Sequence, residues 1–187
     1  TVIAFLIYPD FQILDLAGPL GVFENAARLS GGGYRLRLVA DGGGVVRSSS
    51  GVGVLAEDLG AADEADTLLV VGGQGTRAAA QSARICETLR ARAPYLRRLG
   101  SVCSGTYVLA EAGVLDGLRA TTHWSRSRHF AAAYPRVRLE SDRIYINEGR
   151  VWTSAGVTAG IDMALAMAAQ DFGEALASLH ECLKHTD

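Results

Sequence analysis

Apolar residues fill Val2 to Tyr8 almost without a break, the pattern of a strand buried on both faces of a sheet. Pro9-Asp10 turns the chain, and helical periodicity predicts a helix over 16–29, with Pro19 in its first turn and Gly31-Gly32-Gly33 at its end. Tyr34 to Ala40 alternates as a second strand. Val45-Val46-Arg47 and Val52-Gly53-Val54-Leu55 read as a small hairpin or as short extra strands after the Asp41-Gly42-Gly43-Gly44 turn. Asp66 to Val71 is a further buried strand that stops at Gly72-Gly73. A single helix is predicted over 78–93, closed by Pro94. Leu99 to Val102 forms a short strand running into Cys103 and a helix-forming segment. Another helix is predicted over 124–134, then short strands over 137–139, 144–147 and 151–153, and an apolar final helix over 158–172.

Strands that alternate with helices predict an α/β fold, a mostly parallel sheet sandwiched by helices in one domain spanning 1–187. Such sheets bind ligands outside the carboxyl ends of their strands. Tyr8, Gly72-Gly73 and Cys103 all fall at such ends, so three strand ends point at one crevice.

Cys103 carries the most informative chemistry. It stands at the tip of a strand-to-helix elbow, between the small residues Ser101, Ser104 and Gly105. The N–H groups and dipole of a starting helix favour thiolate, which predicts a pKa below the ordinary value of about 8.5. A buried structural cysteine is the other reading. Asp15 precedes the first helix among apolar neighbours, either as its N-cap or as a desolvated acid sharing a proton with Cys103. Gly72 and Gly73 are a tight turn or, with the Ser104 N–H, an oxyanion hole. His123, in Thr121-Thr122-His123-Trp124, is a helix cap, a partner of Trp124 or a base for Cys103. Asp162 is expected at the N-terminal dipole of the last helix.

Composition narrows the setting. Of 187 residues, 49% are hydrophobic and 22 are glycine, enough for a sizeable core with many turns. The net charge of −2 gives no general attraction to nucleic acid. The basic groups at Arg90, Arg92, Arg97 and Arg98 and at Arg126 and Arg128 read as solvated faces. Three cysteines, Cys86, Cys103 and Cys182, have no paired spacing, and no secretory or membrane-spanning pattern opens the chain, so a cytoplasmic setting is expected. Metal-ligand spacing, phosphate loops and dinucleotide fingerprints are all missing from the sequence, so neither metal nor cofactor is expected.

The chain resembles the ThiJ/PfpI superfamily along its full length. The segments that carry the resemblance are Asp15-Leu16-Ala17-Gly18-Pro19, Asp66-Thr67-Leu68-Leu69-Val70-Val71-Gly72-Gly73 and Ser101-Val102-Cys103-Ser104-Gly105. Val22-Phe23-Glu24, Ser48-Ser49-Ser50-Gly51, Leu109-Ala110-Glu111-Ala112-Gly113, Arg119-Ala120-Thr121-Thr122-His123-Trp124 and Thr153-Ser154-Ala155-Gly156-Val157-Thr158-Ala159-Gly160-Ile161-Asp162 complete the set. The resemblance implies the flavodoxin-like, class I glutamine amidotransferase-like fold, a nucleophile elbow at Cys103 and an acidic partner at Asp15, where many members carry Glu. Within the superfamily the chain is most similar to the N-terminal domain of AraC-type regulators. That implies a small-molecule sensor, paired as a homodimer, reaching DNA only through a helix-turn-helix domain beyond this chain. Isocyanide hydratases are similar at the same positions and imply an alternative, an enzyme with Cys103 as nucleophile, Asp15 as general acid and base and Ser104 orienting nucleophile or water. A thiol-based chaperone or oxidation sensor is a third reading.

Overall fold

A computed structural model describes residues 1–173; Cys182 and the rest of the segment to Asp187 lie outside the described residues. The strands are β1 (Val2–Leu6), β2 (Arg35–Ala40), β3 (Gly44–Arg47), β4 (Gly53–Asp58), β5 (Thr67–Val70), β6 (Arg98–Val102), β7 (Arg119–Ala120), β8 (Arg138–Leu139), β9 (Tyr145–Glu148) and β10 (Val151–Ser154). The helices are α1 (Ile13–Leu29), α2 (Thr76–Gln81), α3 (Ala83–Arg92), α4 (Thr106–Glu111), α5 (Ser127–Ala133) and α6 (Val157–Phe172).

Eight strands form one sheet in the order β3-β4-β2-β1-β5-β6-β10-β9, parallel except for the antiparallel pairs β3/β4 and β10/β9. Every residue of β1 and β5 is buried, which is why their sequences read as unbroken apolar runs. The chain leaves β1 for β2 in one direction and β5 for β6 in the other. Right-handed crossovers then place α1 and the α2–α3 pair on opposite faces. α6 packs on α1, and α4 on α2 and α3, completing the two layers. Phe5 and Phe23 anchor the layer under α1, where full burial of each ring contributes about 2 kcal/mol. The α/β sandwich expected from the alternating pattern is therefore the observed fold.

Three local expectations are corrected. α1 starts at Ile13, three residues before the predicted boundary, with Gln12 at the N-cap making no side-chain bond. Asp15 is thus inside the first turn rather than the cap, and Pro19 lies within the helix. The helix predicted over 78–93 is broken at Ser82, whose hydroxyl accepts the Ile85 N–H and starts α3 afresh. Asp162 is the sixth residue of α6, beyond the reach of its N-terminal dipole.

Arg98 is corrected as well. It is only 5% exposed and pairs with Asp171 on α6 at 2.8 Å, not with solvent. Arg97 and the Tyr34 hydroxyl also donate to Asp171. Burial opposes ionisation of this carboxyl, but the two guanidiniums and the phenol hold it well below the usual carboxylate range.

Candidate functional site

The loops after β1, β5 and β6 meet, as the three strand ends implied. Phe11 bridges both Ser48 and Gly73, and the Gln12 N–H donates to the Gly72 carbonyl at 2.8 Å. These links bring the first turn of α1 over the tip of β6. There Cys103 has a φ of 57°, a left-handed conformation that a side chain adopts at a cost. The turn is held from below: Thr122 and Thr106 both donate to the Cys103 carbonyl, at 3.0 and 3.2 Å. Thr106 also meets Ser101 at 2.9 Å. The strained geometry is what an elbow presenting one side chain to a cleft requires.

Asp15 is completely buried against this elbow. Neither of its carboxylate oxygens completes a hydrogen bond of good geometry; the Cys103 thiol and the Gly72 N–H are the donors facing it. Gly72 is the spacer that permits the approach. A Cβ at that position would lie 2.6 Å from Asp15 Oδ2, 2.8 Å from the Ser104 nitrogen and 2.9 Å from Cys103 Cβ.

The electrostatics differ from the sequence expectation. Burial pushes the Cys103 thiol up to about 12, and the Asp15 carboxylate adds to the rise. The Ser104 N–H and hydroxyl favour thiolate but do not offset these two effects. Helix-terminal donors were correctly located; desolvation beside a carboxylate outweighs them. Burial also lifts Asp15 to about 6, opposed by the Cys103 thiol and the Gly72 N–H. Burial thus raises both groups, the thiol further than the carboxyl.

Ser104 does more than flank the sulfur. Its hydroxyl accepts the Gly73 N–H at 3.0 Å and lies 2.8 Å from the Thr76 hydroxyl, which meets the Tyr8 hydroxyl at 2.9 Å. Tyr8 in turn donates to the Val71 carbonyl at 2.6 Å. The Gly73 N–H is thus bound internally and the Gly72 N–H faces Asp15, so of the three expected oxyanion donors only the Ser104 N–H faces the sulfur. Tyr8 was placed at the crevice by its strand end. Thr76 and Thr122 were missed, because one hydroxyl among many carries no sequence signal.

Cys103 opens into a pocket of about 230 Å³ that Gln12, Ser49, Gly73, Ser104 and His123 also line. His123 is therefore near the thiol but makes no hydrogen bond with it. Its Nδ1 contacts the Ser125 hydroxyl at 2.8 Å and accepts the Ser125 N–H, and its ring lies 5.7 Å from that of Trp124. The capping role is observed, with the ring beside the exposed Trp124. No group of three or more His, Cys, Asp or Glu side chains able to hold a metal occurs among the described residues. No helix among them is long and apolar enough to cross a membrane.

Comparison with known proteins shows the fold and the family. The chain is 34% identical over 185 residues to the HTH-type transcriptional regulator CdhR of Pseudomonas aeruginosa, covering 92% of this chain and 51% of the regulator. It is 33% identical over 181 residues to an isonitrile hydratase of Pseudomonas putida, covering 95% and 75%. A crystal structure of a ThiJ/PfpI family protein from Pseudomonas syringae superposes with a TM-score of 0.86 at 31% identity, over 100% of this chain and 75% of that one. The chain spans about half the length of the regulators it matches. The sequence profile of the DJ-1/PfpI family matches residues 1–170, and the chain belongs to that family.

Proposed function

We propose that this chain is the small-molecule-sensing domain of an AraC-type transcription regulator, reaching DNA through a helix-turn-helix domain outside these residues. The observation that carries the reading is the placement of Cys103, held against the fully buried Asp15 and open to a pocket. On that elbow, burial and the Asp15 carboxylate both disfavour the thiolate. A thiol that stays protonated beside a carboxylate is suited to hydrogen-bonding a ligand rather than attacking it. Kinship to helix-turn-helix regulators over half their length supports the same assignment. A ligand acts on the attached domain only to the extent that it prefers one arrangement of the protein. Paired DNA half-sites are read by paired proteins, so the sensing unit is a homodimer, which sedimentation of the purified chain tests.

A metabolite library screened by thermal unfolding tests the sensing itself. A cognate ligand at a hundred times its Kd stabilises the fold by about 2.7 kcal/mol. It should also protect Cys103 from alkylation and be recovered unchanged. A library in which no compound protects Cys103, or in which the stabilising compound is consumed, contradicts the reading.

A second reading is supported by the elbow itself, with Asp15 and the Ser104 N–H on the sulfur and a hydratase at 33% identity among the relatives. In it the Cys103 thiol adds across the terminal carbon of an isocyanide, the thiol proton passing by way of Asp15, to give a thioimidate. Water then displaces the sulfur, releasing an N-substituted formamide and restoring the thiol.

A further inference from the structure

Beside the Cys103 pocket lies a larger cavity of about 390 Å³ between α2, α4 and α5. The two share Gly73, Gln74, Ser104 and Arg126 as walls, so they adjoin along one cleft wall. One side of the larger cavity is aromatic: Tyr107 and Tyr134 pack edge to face at 5.8 Å. Their hydroxyls are already engaged. Tyr107 donates to the Arg126 carbonyl at 3.1 Å, and Tyr134 donates to Glu111 at 2.8 Å.

The guanidiniums of this cavity are not engaged. Fourteen of the arginines make a side-chain hydrogen bond or ion pair: Arg37, Arg84, Arg97, Arg98 and Arg119 with carboxylates, for example, and Arg90 and Arg150 with carbonyls. Only Arg77, Arg126 and Arg128 make none among the described residues, and two of these three, Arg77 and Arg126, line the same cavity. Guanidinium forks are always charged and match carboxylate oxygens in pairs. Two guanidiniums against the single carboxylate of Glu111 leave one positive charge on the cavity wall. One ligand carboxylate balances it, whereas a phosphate dianion would overshoot beside Glu111.

We infer that this cleft binds a small-molecule carboxylate, with the charged end at Arg77 and Arg126, the carbon body against Tyr107 and Tyr134, and the far end toward Cys103. The inference rests on the sensing reading and specifies its ligand class.

Paired alkylating reagents test it without knowledge of the ligand. Iodoacetate and iodoacetamide differ only in carrying a carboxylate or its neutral amide, and their rates on Cys103 are read peptide by peptide at pH 9 by mass spectrometry. The ratio of iodoacetate to iodoacetamide rate should fall about fivefold or more in Arg77→Gln/Arg126→Gln, since removing two nearby charges changes the local concentration of an anion by that order. Arg128→Gln, which removes the third unpartnered arginine outside the cavity, should leave the ratio unchanged. An unchanged ratio in the double variant, or an equal fall in Arg128→Gln, overturns the inference. The second measurement is thermal stabilisation by straight-chain and phenyl-substituted C3–C8 carboxylates, each against its primary amide. Carboxylates should stabilise the wild type more than their amides do, and the double variant should lose that preference; equal stabilisation by acid and amide overturns the inference. Should a neutral metabolite stabilise the protein and protect Cys103 while the reagent ratio stays flat, the sensing reading survives and the carboxylate class fails. Should the ratio fall while no library compound protects Cys103, the anion site stands and the sensing reading fails.

Discussion

Asp15 lies against Cys103 in the space that Gly72 leaves free of a side chain. Burial and the carboxylate push the Cys103 thiol up to about 12, while burial lifts Asp15 itself to about 6. A carboxylate with no well-formed hydrogen bond, held in a fully buried position, is costly to the fold and informative about its use.

That cost gives a pH-dependent stability. Asp15 rises from 3.8 to about 6 on folding, so the folded state holds its proton more tightly and stability falls as pH rises from about 4 through 6. The loss amounts to about 3 kcal/mol for a shift of this size. Asp15→Asn should therefore raise Tm at pH 8 and bring a much smaller gain at pH 4, as read by thermal unfolding at both values. A variant less stable than wild type at pH 8 would show that the carboxylate is better compensated than its geometry indicates.

The thiol should respond to the same substitution. Wild-type Cys103 is expected to react slowly with iodoacetamide at pH 7, the rate climbing past pH 9, and Asp15→Asn should accelerate the neutral reaction about tenfold for each unit by which the thiol pKa drops. Cys86, 7% exposed and shifted upward by burial, should remain slower still. An Asp15→Asn profile superimposable on wild type would remove Asp15 from control of the sulfur.

How far the sequence revealed this site depends on what each residue needs around it. β1 and β5 were legible because full burial on both faces demands unbroken apolar runs. The start of α1 was not, since Gln12 forms no cap and Ile13-Leu14 resembles a strand end. Ser82 is an N-cap inside what reads as one helix, and a lone serine in a helical pattern passes unnoticed. The elbow was visible as a cysteine at a strand end, and its acid as a carboxyl among apolar residues at the start of the first helix. Their protonation was not, because desolvation belongs to the folded neighbourhood and has no local sequence signature. Arg98 looked like a solvated face for the same reason: its partner Asp171 is 73 residues away.

Gly72→Ala tests the packing of the pair. The added methyl meets Asp15 Oδ2, the Ser104 nitrogen and Cys103 Cβ at once, all closer than 3.0 Å. Relief requires moving buried backbone, at a cost of about 1–3 kcal/mol. Denaturant unfolding should show that loss, and the alkylation profile of Cys103 should shift toward that of Asp15→Asn as the carboxylate is displaced. Unchanged stability together with an unchanged profile would mean that the elbow has more room than the geometry allows.

The Arg98–Asp171 pair should matter more than a surface ion pair. Both side chains are buried, so Asp171→Ala leaves a desolvated guanidinium and should cost about 3–5 kcal/mol. Tyr34→Phe removes only one of the donors to Asp171 and should cost about 1 kcal/mol. Urea unfolding of the two variants separates them, and equal losses would place the energy in Tyr34 packing instead.

The account turns on whether Cys103 holds a ligand or transforms one. Incubating the purified chain with n-butyl isocyanide at pH 7.5 and following N-butylformamide by chromatography is the most direct measurement. The sensing account predicts formamide at the rate given by Cys103→Ala and by buffer alone, because the thiol is protonated at that pH. Many turnovers per protein, abolished in Cys103→Ala and reduced in Asp15→Asn, would contradict it and establish the hydratase.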